Sequence, residues 1–523
     1  MVASGCPHDG GVPARSRLRV FLRRWFLANS LLAGFFALCW LLLRSGTRPS
    51  RFAYPCQQAA LSTASLAFGA PVVTAVLALR RGMSAGLRSP AGVASALAGL
   101  VVTFGIWGYL TRLEASSVPE LPRLEAAADY RARVFHLSAC PQDPVQDRFL
   151  CIEGLLGLMG NQGLKFHRST TVTQSAGPDG IIAADDIVII KINYQWDERG
   201  GTNTDVLRGL IRSVVDHPDG FAGEVVVCEN AQFASVNGFD RSNNNAQDQT
   251  LSPHDVVVHF QGLGYDVSHY DWTVIRTTSV DEYSAGDADD GYVVYPWSSQ
   301  LNGAVSYPKF QTDYGTNISL RDGIWDPVGA SYDHGHLKLI NLPVLKSHHA
   351  TYGVTAAVKN YMGVVTRELG TNSHNSIRNG VLGALLAEIR PADLNILDAI
   401  WVNANPNKGP GTNYGDATRR DELVAGTDPV AVDLWATQNI LIPAFEANGY
   451  YPPWPYPSAD PDDPNSQFRE YLDNSLHYLL TAGFNATNDP DRIDTFSRAI
   501  QISTDGFESG DTSGWTREGN GAP

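Results

Sequence analysis

Apolar and polar residues are patterned differently before and after about residue 112. The first part contains three apolar stretches, at residues 25–43, 59–79 and 91–110. The first stretch is long enough to cross a bilayer as a helix, and the other two are rich in the small residues that let membrane helices pack closely. The pattern predicts an N-terminal basic arm and about three transmembrane helices over residues 1–112. A soluble interpretation of the second and third stretches stays open, because their hydrophobicity is modest.

Basic residues before the first stretch indicate its orientation. They are Arg15, Arg17, Arg19, Arg23 and Arg24. Basic flanks stay in the cytoplasm, so three crossings place the large C-terminal part outside it. The segment at 23–27 also resembles a twin-arginine export motif, but no small-residue cleavage site follows, which favours an uncleaved anchor. The expected localisation is therefore the membrane, with the C-terminal domain outside the cytoplasm.

After residue 186, short β-branched runs alternate with amphipathic helical stretches. Strands are predicted at 187–192, 224–228, 265–270, 337–342 and 396–402, and helices at 206–216, 253–263, 428–440 and 467–480. This alternation is typical of an α/β fold, with a mostly parallel sheet covered by helices. We expect that domain over residues 181–495. A connector at 113–180, helical near 121–133, precedes it, an irregular excursion interrupts it at 281–323, and a polar tail follows at 496–523.

Charge and cysteine content narrow the function classes. The net charge is −15 and the sequence pI is near 5.3, with no basic run after the N-terminal arm, which argues against a nucleic-acid partner. No Cys-x-x-Cys pair occurs, so an iron–sulfur cluster is not expected. Cys140 and Cys151 are close in the chain. They form a disulfide if this part is exported, or two buried thiols.

Lysine is rare in this chain and stands out where it occurs. Only seven of the 39 Lys and Arg residues are lysines. Two of them, Lys346 and Lys359, lie within one short segment, which also contains His348 and His349. An amine is a compact charge whose pKa falls readily on burial, so it acts as an acid, a base or a nucleophile more easily than a guanidinium. Lys346, Lys359 and His348 are therefore the candidate catalytic residues.

The same segment carries a family resemblance. It reads Asn341-Leu-Pro-Val-Leu-Lys346-Ser-His348-His349, followed by Thr355-Ala-Ala-Val-Lys359-Asn360-Tyr-Met-Gly363. This resembles the core motif of the domain of unknown function 362 family. Further matches occur in order around Lys191-Ile-Asn193, around 389–398 and around 423–433, so that the resemblance covers about residues 185–440. It implies a fold and a site, but no reaction.

Polar residues follow several predicted strands, where an open parallel sheet binds its ligands. The candidate ligand-binding residues are Lys191, Asn193, Asn360, Asp398 and Asp433. Several amines beside few acids suit a small anionic ligand, such as a phosphate, a carboxylate or an anionic cofactor. Asp433 follows Asp428, which is expected mainly to cap the helix that Pro429 opens.

Histidines offer a metal as the second option. The candidate ligands are His334, His336, His348, His349 and His374. The spacing of His334 and His336 places both rings on one face of an extended strand, which suits a transition metal such as zinc, iron or nickel. For each single histidine, packing against the sheet is at least as good an explanation as ligation.

Two functional hypotheses follow. The first is a membrane-anchored extracytoplasmic protein whose Lys/His site depends on an anion or a metallocofactor. In it, Lys346 and Lys359 hold or protonate the ligand, His348 and His374 ligate a metal or transfer protons, and Asn360 orients the ligand. The alternative is a non-catalytic module that binds an anionic or cell-envelope ligand. A third hypothesis is that the motif mainly stabilises the fold.

Overall fold

The computed structural model describes residues 124–141, 149–232, 238–296, 303–369, 373–452 and 458–500, together with Ala37, Ser298 and Leu301. The chain divides into two compact units, Met1–Val118 and Pro119–Pro523. Ala37 is the one described residue of the predicted membrane stretches, and residues 496–500 are the described part of the predicted polar tail. Residues 496–499 lie in the strand Ile493–Ala499, so the start of the predicted tail belongs to a strand. Within the described part, no helix is long and apolar enough to span a membrane.

Strands and helices alternate through most of the second unit. The strands in its described part are β1 (Ala132–Ser138), β2 (His167–Arg168), β3 (Ala176–Gly177), β4 (Ile187–Ile192), β5 (Glu224–Glu229), β6 (Val267–Asp271), β7 (Gly291–Val294), β8 (Ser306–Gln311), β9 (Asn317–Ser319), β10 (Gly323–Asp326), β11 (Ser331–Asp333), β12 (Leu337–Leu342), β13 (Val344–Ser347), β14 (Val354–Thr355), β15 (Leu394–Asn403), β16 (Thr418–Gly426) and β17 (Ile493–Ala499). The α-helices are α1 (Leu150–Asn161), α2 (Thr204–Val215), α3 (Pro253–Gly262), α4 (His349–Tyr352), α5 (Ala357–Asn360), α6 (Val381–Glu388), α7 (Pro429–Ala436), α8 (Ile442–Ala447) and α9 (Gln467–Thr481). Shorter helical segments lie at Gly238–Asp240, Trp272–Val274, Tyr283–Ala285, Tyr361–Gly363, Ser373–Asn379, Thr437–Leu441 and Pro490–Arg492.

One ten-stranded sheet organises the domain. Its strand order is β17-β1-β16-β15-β12-β4-β5-β6, with β13 and β14 attached beside β15. The strands β15, β12, β4, β5 and β6 run parallel to one another. β16 is antiparallel to both of its neighbours. The sheet is therefore mixed and mostly parallel, which confirms the α/β class predicted from the sequence.

The two faces of this sheet pack against different layers. In β4, Val188 and Ile190 contribute to a core with α1, α2 and α3, while Ile189 contributes to a core with α6, α7 and α9. All three side chains are fully buried. A strand that is buried on both faces has a continuous apolar sequence, and this explains why β4 and β12 are predicted from the sequence with their observed bounds.

Helix starts follow the capping chemistry of the sequence. Asn203 caps α2 by accepting hydrogen bonds from Asp205 N at 2.9 Å and Val206 N at 3.3 Å. Asp428 caps α7 in the same way, as expected. The predicted helix at 428–440 is shorter than expected, because α7 ends at Ala436 and a wider π-helical turn follows.

Two segments differ from their prediction. The helix predicted near 121–133 is wrong for its described residues, because 124–131 form no helix and β1 begins at Ala132. β1 lies between β16 and β17 in the main sheet, so part of the predicted connector belongs to this sheet. The excursion at 281–323 contains strands β7 to β9, which continue through β10 and β11 as a five-stranded antiparallel sheet.

A disulfide joins Cys140, after β1, to Cys151 in α1. This resolves the choice between a disulfide and two thiols in favour of the disulfide. Cys228 is a buried free thiol. The two cysteines are 11 positions apart in the sequence, and the bond connects α1 to the end of β1.

We predict that the double variant Cys140→Ala/Cys151→Ala has a free energy of unfolding lower by about 2–3 kcal/mol than the wild type. A cross-link across a loop of this length reduces the conformational entropy of the unfolded chain by that amount, and the variant lacks this effect. Urea unfolding of both proteins with and without reductant measures the difference. Reductant should destabilise the wild type alone. An equal effect on the double variant would contradict the prediction.

Candidate functional site

The carboxyl edge of the main sheet gathers three lysines. Lys191 lies near the end of β4, Lys346 lies in β13, and Lys359 lies in the short helix α5. These residues are 1%, 1% and 4% exposed. We call Lys191, Lys346 and Lys359 the lysine cluster.

Lys191 forms a buried ion pair with Glu229, the last residue of β5. Parallel pairing of β4 with β5 brings the two side chains together. Lys191 Nζ also donates to Ile192 O at 2.9 Å and to Asn360 Oδ1 at 3.0 Å. Burial lowers the pKa of Lys191 and raises the pKa of Glu229 to about 7, while their mutual attraction opposes both shifts.

Gly363 allows this ion pair to form. A Cβ atom at Gly363 would overlap Lys191 Nζ and would lie 2.5 and 2.7 Å from the two carboxylate oxygens of Glu229. The carbonyl of Gly363 accepts a hydrogen bond from Asn230 N at 3.0 Å. Glycine is therefore required here because the backbone passes directly over the buried pair.

Asn360 connects the amines to one another. Its Oδ1 accepts from Lys191 and from Asn193 Nδ2, at 3.0 and 3.1 Å. Its Nδ2 donates to Asn341 Oδ1 at 2.8 Å. Asn193 Oδ1 in turn accepts from Lys346 Nζ at 3.1 Å, and Lys346 also donates to the carbonyl of Gly200. Amide side chains thus bridge two amines without adding charge.

Asp433 positions the helix that carries Lys359 and Asn360. Its two carboxylate oxygens accept from Ala357 N at 2.6 Å and from Val358 N at 2.9 Å. These are backbone donors of the first turn of α5, which have no partner within the helix. Burial raises the pKa of Asp433 to about 8. The predicted ligand-binding role of Asp433 remains a prediction, and the contacts that it makes are those of an anchor for α5.

Lys359 lacks a hydrogen-bond acceptor among the described residues. Its Nζ lies 5.0 Å from the centre of the Tyr352 ring. Burial lowers the pKa of Lys359 to about 7, and the charge of Lys191 lowers it further in the same direction. Burial also lowers the pKa of Lys346 to about 7, aided by Lys359 and opposed by Glu229. Both amines therefore titrate near neutral pH.

Asp398 is the second buried carboxylate near the cluster. It accepts from Asn203 N at 2.9 Å and from Ile400 N at 3.0 Å. Burial raises its pKa to about 6, and the charges of Arg199 and Lys346 oppose that shift. The guanidinium of Arg199 lies 4.4 Å from the ring centre of Trp401.

His348 lies beside this site and His349 is less closely tied to it. His348 Nδ1 forms a hydrogen bond of 2.6 Å with Thr355 Oγ1, and the ring packs edge-on against Tyr352. His349 is exposed and has a φ of 60°, which is uncommon outside glycine. The side chain of His374 lies outside the described residues.

His334 and His336 lie at the opposite end of the sheet. Both precede β12 and neither lies in a strand, so the expectation of one extended strand carrying both rings is wrong. His334 Nδ1 is 2.8 Å from Arg390 Nη2, and His336 Nδ1 is 2.6 Å from Asp333 Oδ2. A cavity of about 510 Å³ borders His334, Lys338 and Arg390 at this amino edge. The predicted histidine cluster is therefore divided between two edges.

Several residues of the site were not chosen from the sequence. They are Asn341, Asn395, Arg199 and Gly200. Glu229 follows the strand predicted at 224–228, and its position after that strand already predicts it at the same sheet edge as Lys191. Asn341 and Asn395 sit inside apolar strands, where a buried amide needs a partner, and their side chains bond each other at 2.9 Å. Gly200 contributes only its backbone carbonyl, and every residue type has one, so the sequence gives no sign of this role.

The family model described as Domain of unknown function (DUF362) matches residues 336–438. The resemblance predicted over about 185–440 is confirmed for this part of the chain. The matched range contains Lys346, Lys359, Asn360, Asp398 and Asp433, while Lys191 and Glu229 precede it. No curated protein and no solved structure matches the chain.

We predict that Gly363→Ala lowers the free energy of unfolding by about 1–3 kcal/mol, because its methyl group must displace the Lys191–Glu229 pair. Chemical denaturation measures the change. Gly415→Ala is the matched control, since a Cβ there meets no atom within 4 Å. Equal stability of the two variants would show that the pair is not tightly enclosed.

Proposed function

We propose that this chain, which carries a DUF362 domain at residues 336–438, binds a small anionic ligand at its lysine cluster and exchanges protons with it. The observation that carries the proposal is Lys359, a residue only 4% exposed whose amine has the Tyr352 ring beside it but no hydrogen-bond acceptor in the described part of the chain. An ammonium group that has lost most of its water without gaining an acceptor is costly, and an anion would supply that acceptor.

Charge balance supports an anion. The amines of the lysine cluster lie near two buried carboxylates, Glu229 and Asp398, and the guanidinium of Arg199 also acts on Asp398. When all six groups are ionised, an excess of two positive charges remains. Burial strengthens its attraction for a ligand, because little water screens it. A phosphate or a carboxylate has the charge and the acceptor oxygens that such a site requires.

The pKa values support proton exchange. Lys346 and Lys359 titrate near pH 7, and Glu229 also has a pKa of about 7. General acids and bases work best when their pKa lies near the working pH. In this proposal Lys359 donates a proton to the bound anion or withdraws one from it. Asn360 holds Lys191 beside it and keeps the amines in place.

The donor set favours an anion over a metallocofactor at this edge. Within the described residues, the group of three His, Cys, Asp or Glu ligands that could hold a metal consists of Asp185, Asp186 and His336, at the other edge. His348 has one ring nitrogen bonded to Thr355. The surrounding amines are cations that repel a metal ion.

The proposal includes a membrane anchor at residues 1–112 and a domain outside the cytoplasm. Support comes from the apolar stretches with their preceding arginines. The Cys140–Cys151 disulfide also supports it, because disulfides persist in oxidising compartments. The tail at 505–515 resembles one that recurs at the ends of exported bacterial proteins.

We predict that Lys359→Met weakens binding of sulfate and acetate to the full-length protein about 10- to 100-fold, the loss expected for a hydrogen bond to a charged group. Wild-type affinity should fall as pH rises through about 7, because Lys359 loses its proton there. Both probes keep their charge above about pH 6, so the pH dependence reports the protein. Isothermal titration calorimetry measures both effects.

The matched control for this experiment is Lys408→Met, which removes a surface lysine paired with Asp416. It should bind both anions as the wild type does. Lys359→Met should melt at the same temperature as the wild type or higher, because it removes an unpaired buried amine. A large loss of stability would instead favour a structural role for the motif. If the protein binds anions but does not alter them chemically, the non-catalytic binding module is favoured. If His348→Ala loses a bound metal, the metallocofactor site is favoured.

We further predict that the full-length protein expressed in a bacterial host stays in the membrane pellet after an alkaline wash. Protease added outside spheroplasts should remove the C-terminal domain, because the proposed orientation exposes it. Immunoblots against both ends of the chain distinguish the two fragments. Complete protection from protease, or release into the soluble fraction, would refute this topology.

A further inference from the structure

We propose that Asp185, Asp186 and His336 bind a divalent metal ion at the amino edge of the main sheet. This site is separate from the lysine cluster, which lies at the carboxyl edge. β4 and β12 each have six residues, so about 16–20 Å of strand separates the two edges.

The register of the sheet brings the three residues together. β4 begins at Ile187 and β12 begins at Leu337, and these two residues are paired in a parallel ladder. Ile187 N donates to His336 O at 2.8 Å. The residues just before each strand are therefore neighbours, and the candidate ligand atoms of Asp185, Asp186 and His336 all lie within 4.8 Å of one another.

Asp186 supplies an independent indication of a ligand. Its side chain is 0% exposed. Oδ2 accepts from Ala183 N at 2.7 Å, while Oδ1 has no hydrogen-bond partner among the described residues. Buried carboxylate oxygens are normally bonded, because an unpartnered one loses its water without compensation. A cation beside Oδ1 would provide that compensation.

His336 is oriented as metal-binding histidines usually are. Its Nδ1 is bonded to Asp333 Oδ2 at 2.6 Å, which leaves Nε2 as the nitrogen available to an ion. A carboxylate on the second ring nitrogen fixes the ring and increases the basicity of the ligating nitrogen. Asp185 is exposed and accepts no hydrogen bond within the described residues, so it offers a free oxygen at the solvent side.

The ligand set defines the class of ion. Two carboxylate oxygens and one imidazole nitrogen suit first-row divalent ions such as Mn²⁺ and Zn²⁺ better than Ca²⁺, which prefers oxygen ligands alone. Water would fill the remaining positions. An ion there would have the open coordination that is typical of catalytic rather than purely structural sites.

Lys338 is the competing explanation for the buried carboxylate. It is the second residue of β12 and is 7% exposed. Burial raises the pKa of Asp186, and the charge of Lys338 opposes that rise. Within the described residues, however, its amine reaches no carboxylate closely enough for an ion pair. The positive charge of Lys338 would instead repel a cation bound beside Asp186, so removing Lys338 should strengthen metal binding.

The test measures Mn²⁺ binding to the untagged full-length chain by the electron paramagnetic resonance signal of free Mn²⁺, with Zn²⁺ as competitor. We expect about one Mn²⁺ per chain. His336→Gln and Asp185→Asn should each weaken binding by about 10-fold or more, and Asp333→Asn by about 10-fold through the loss of ring orientation. Lys338→Met should bind Mn²⁺ more tightly than the wild type.

Two controls make the outcome decisive. Asp494→Asn removes an exposed carboxylate on β17, several strands away from β4 and β12, and should leave Mn²⁺ affinity unchanged. Because the lysine cluster lies at the other edge of the sheet, a failure of this test leaves the anion proposal standing. Thermal melting verifies that the variants at exposed Asp185 and His336 remain folded. The proposal is overturned if the wild type retains neither Mn²⁺ nor Zn²⁺, or if His336→Gln and Asp185→Asn bind as tightly as the wild type. Loss of stability in Lys338→Met without metal binding would identify Lys338 as the counter-ion of Asp186.

Discussion

Three amines buried at one edge of the sheet are the constraint on which the rest of the site depends. Removing an ammonium group from water costs several kcal/mol unless other groups compensate. Lys191 obtains this compensation from Glu229, with which it forms a buried ion pair. That pair requires bare backbone above it, which only Gly363 can provide. The arrangement of neighbouring elements thus follows from the need to compensate buried charge.

Buried asparagines supply further hydrogen-bond partners for these amines. Asn193, Asn341, Asn360 and Asn395 form a connected set of buried amides across adjacent strands and α5. An amide both donates and accepts, so it satisfies an amine on one side and a second amide on the other. Because amides stay neutral, the charge of the region is set by its amines and acids alone, which lets it respond to protons and to a bound ion.

The parts of the fold that could be predicted are those with a local physical signal. β4 and β12 are apolar on both faces, and the start of α7 is fixed by Asp428 and Pro429. β1 could not be recognised, because the exposed Arg133 and the half-buried His136 interrupt its apolar residues. Its place between β16 and β17 depends on pairing with distant segments, which no local pattern encodes.

The same distinction applies to the site. Lys346 and Lys359 could be chosen because lysine is rare here, and the structure buries both together with Lys191. The role of Glu229 depends on its pairing across strands, so its residue type alone was not informative. His334 and His336 were grouped with His348 from the sequence, but the structure separates them from it. Closeness to His348 in the chain does not indicate which end of a strand a residue occupies, and a six-residue strand separates them.

The scarcity of lysine has a practical consequence for anyone handling this protein. Lys309 and Lys338 are buried as well, the former with its amine over the ring of Tyr283, so that five of the seven lysines are hidden from solvent. Only Lys165 and Lys408 remain at the surface. Amine-directed labels and cross-linkers will therefore find few attachment points on the folded domain, and trypsin will cut it chiefly after arginine. A newly reactive lysine would signal that the sheet itself has opened.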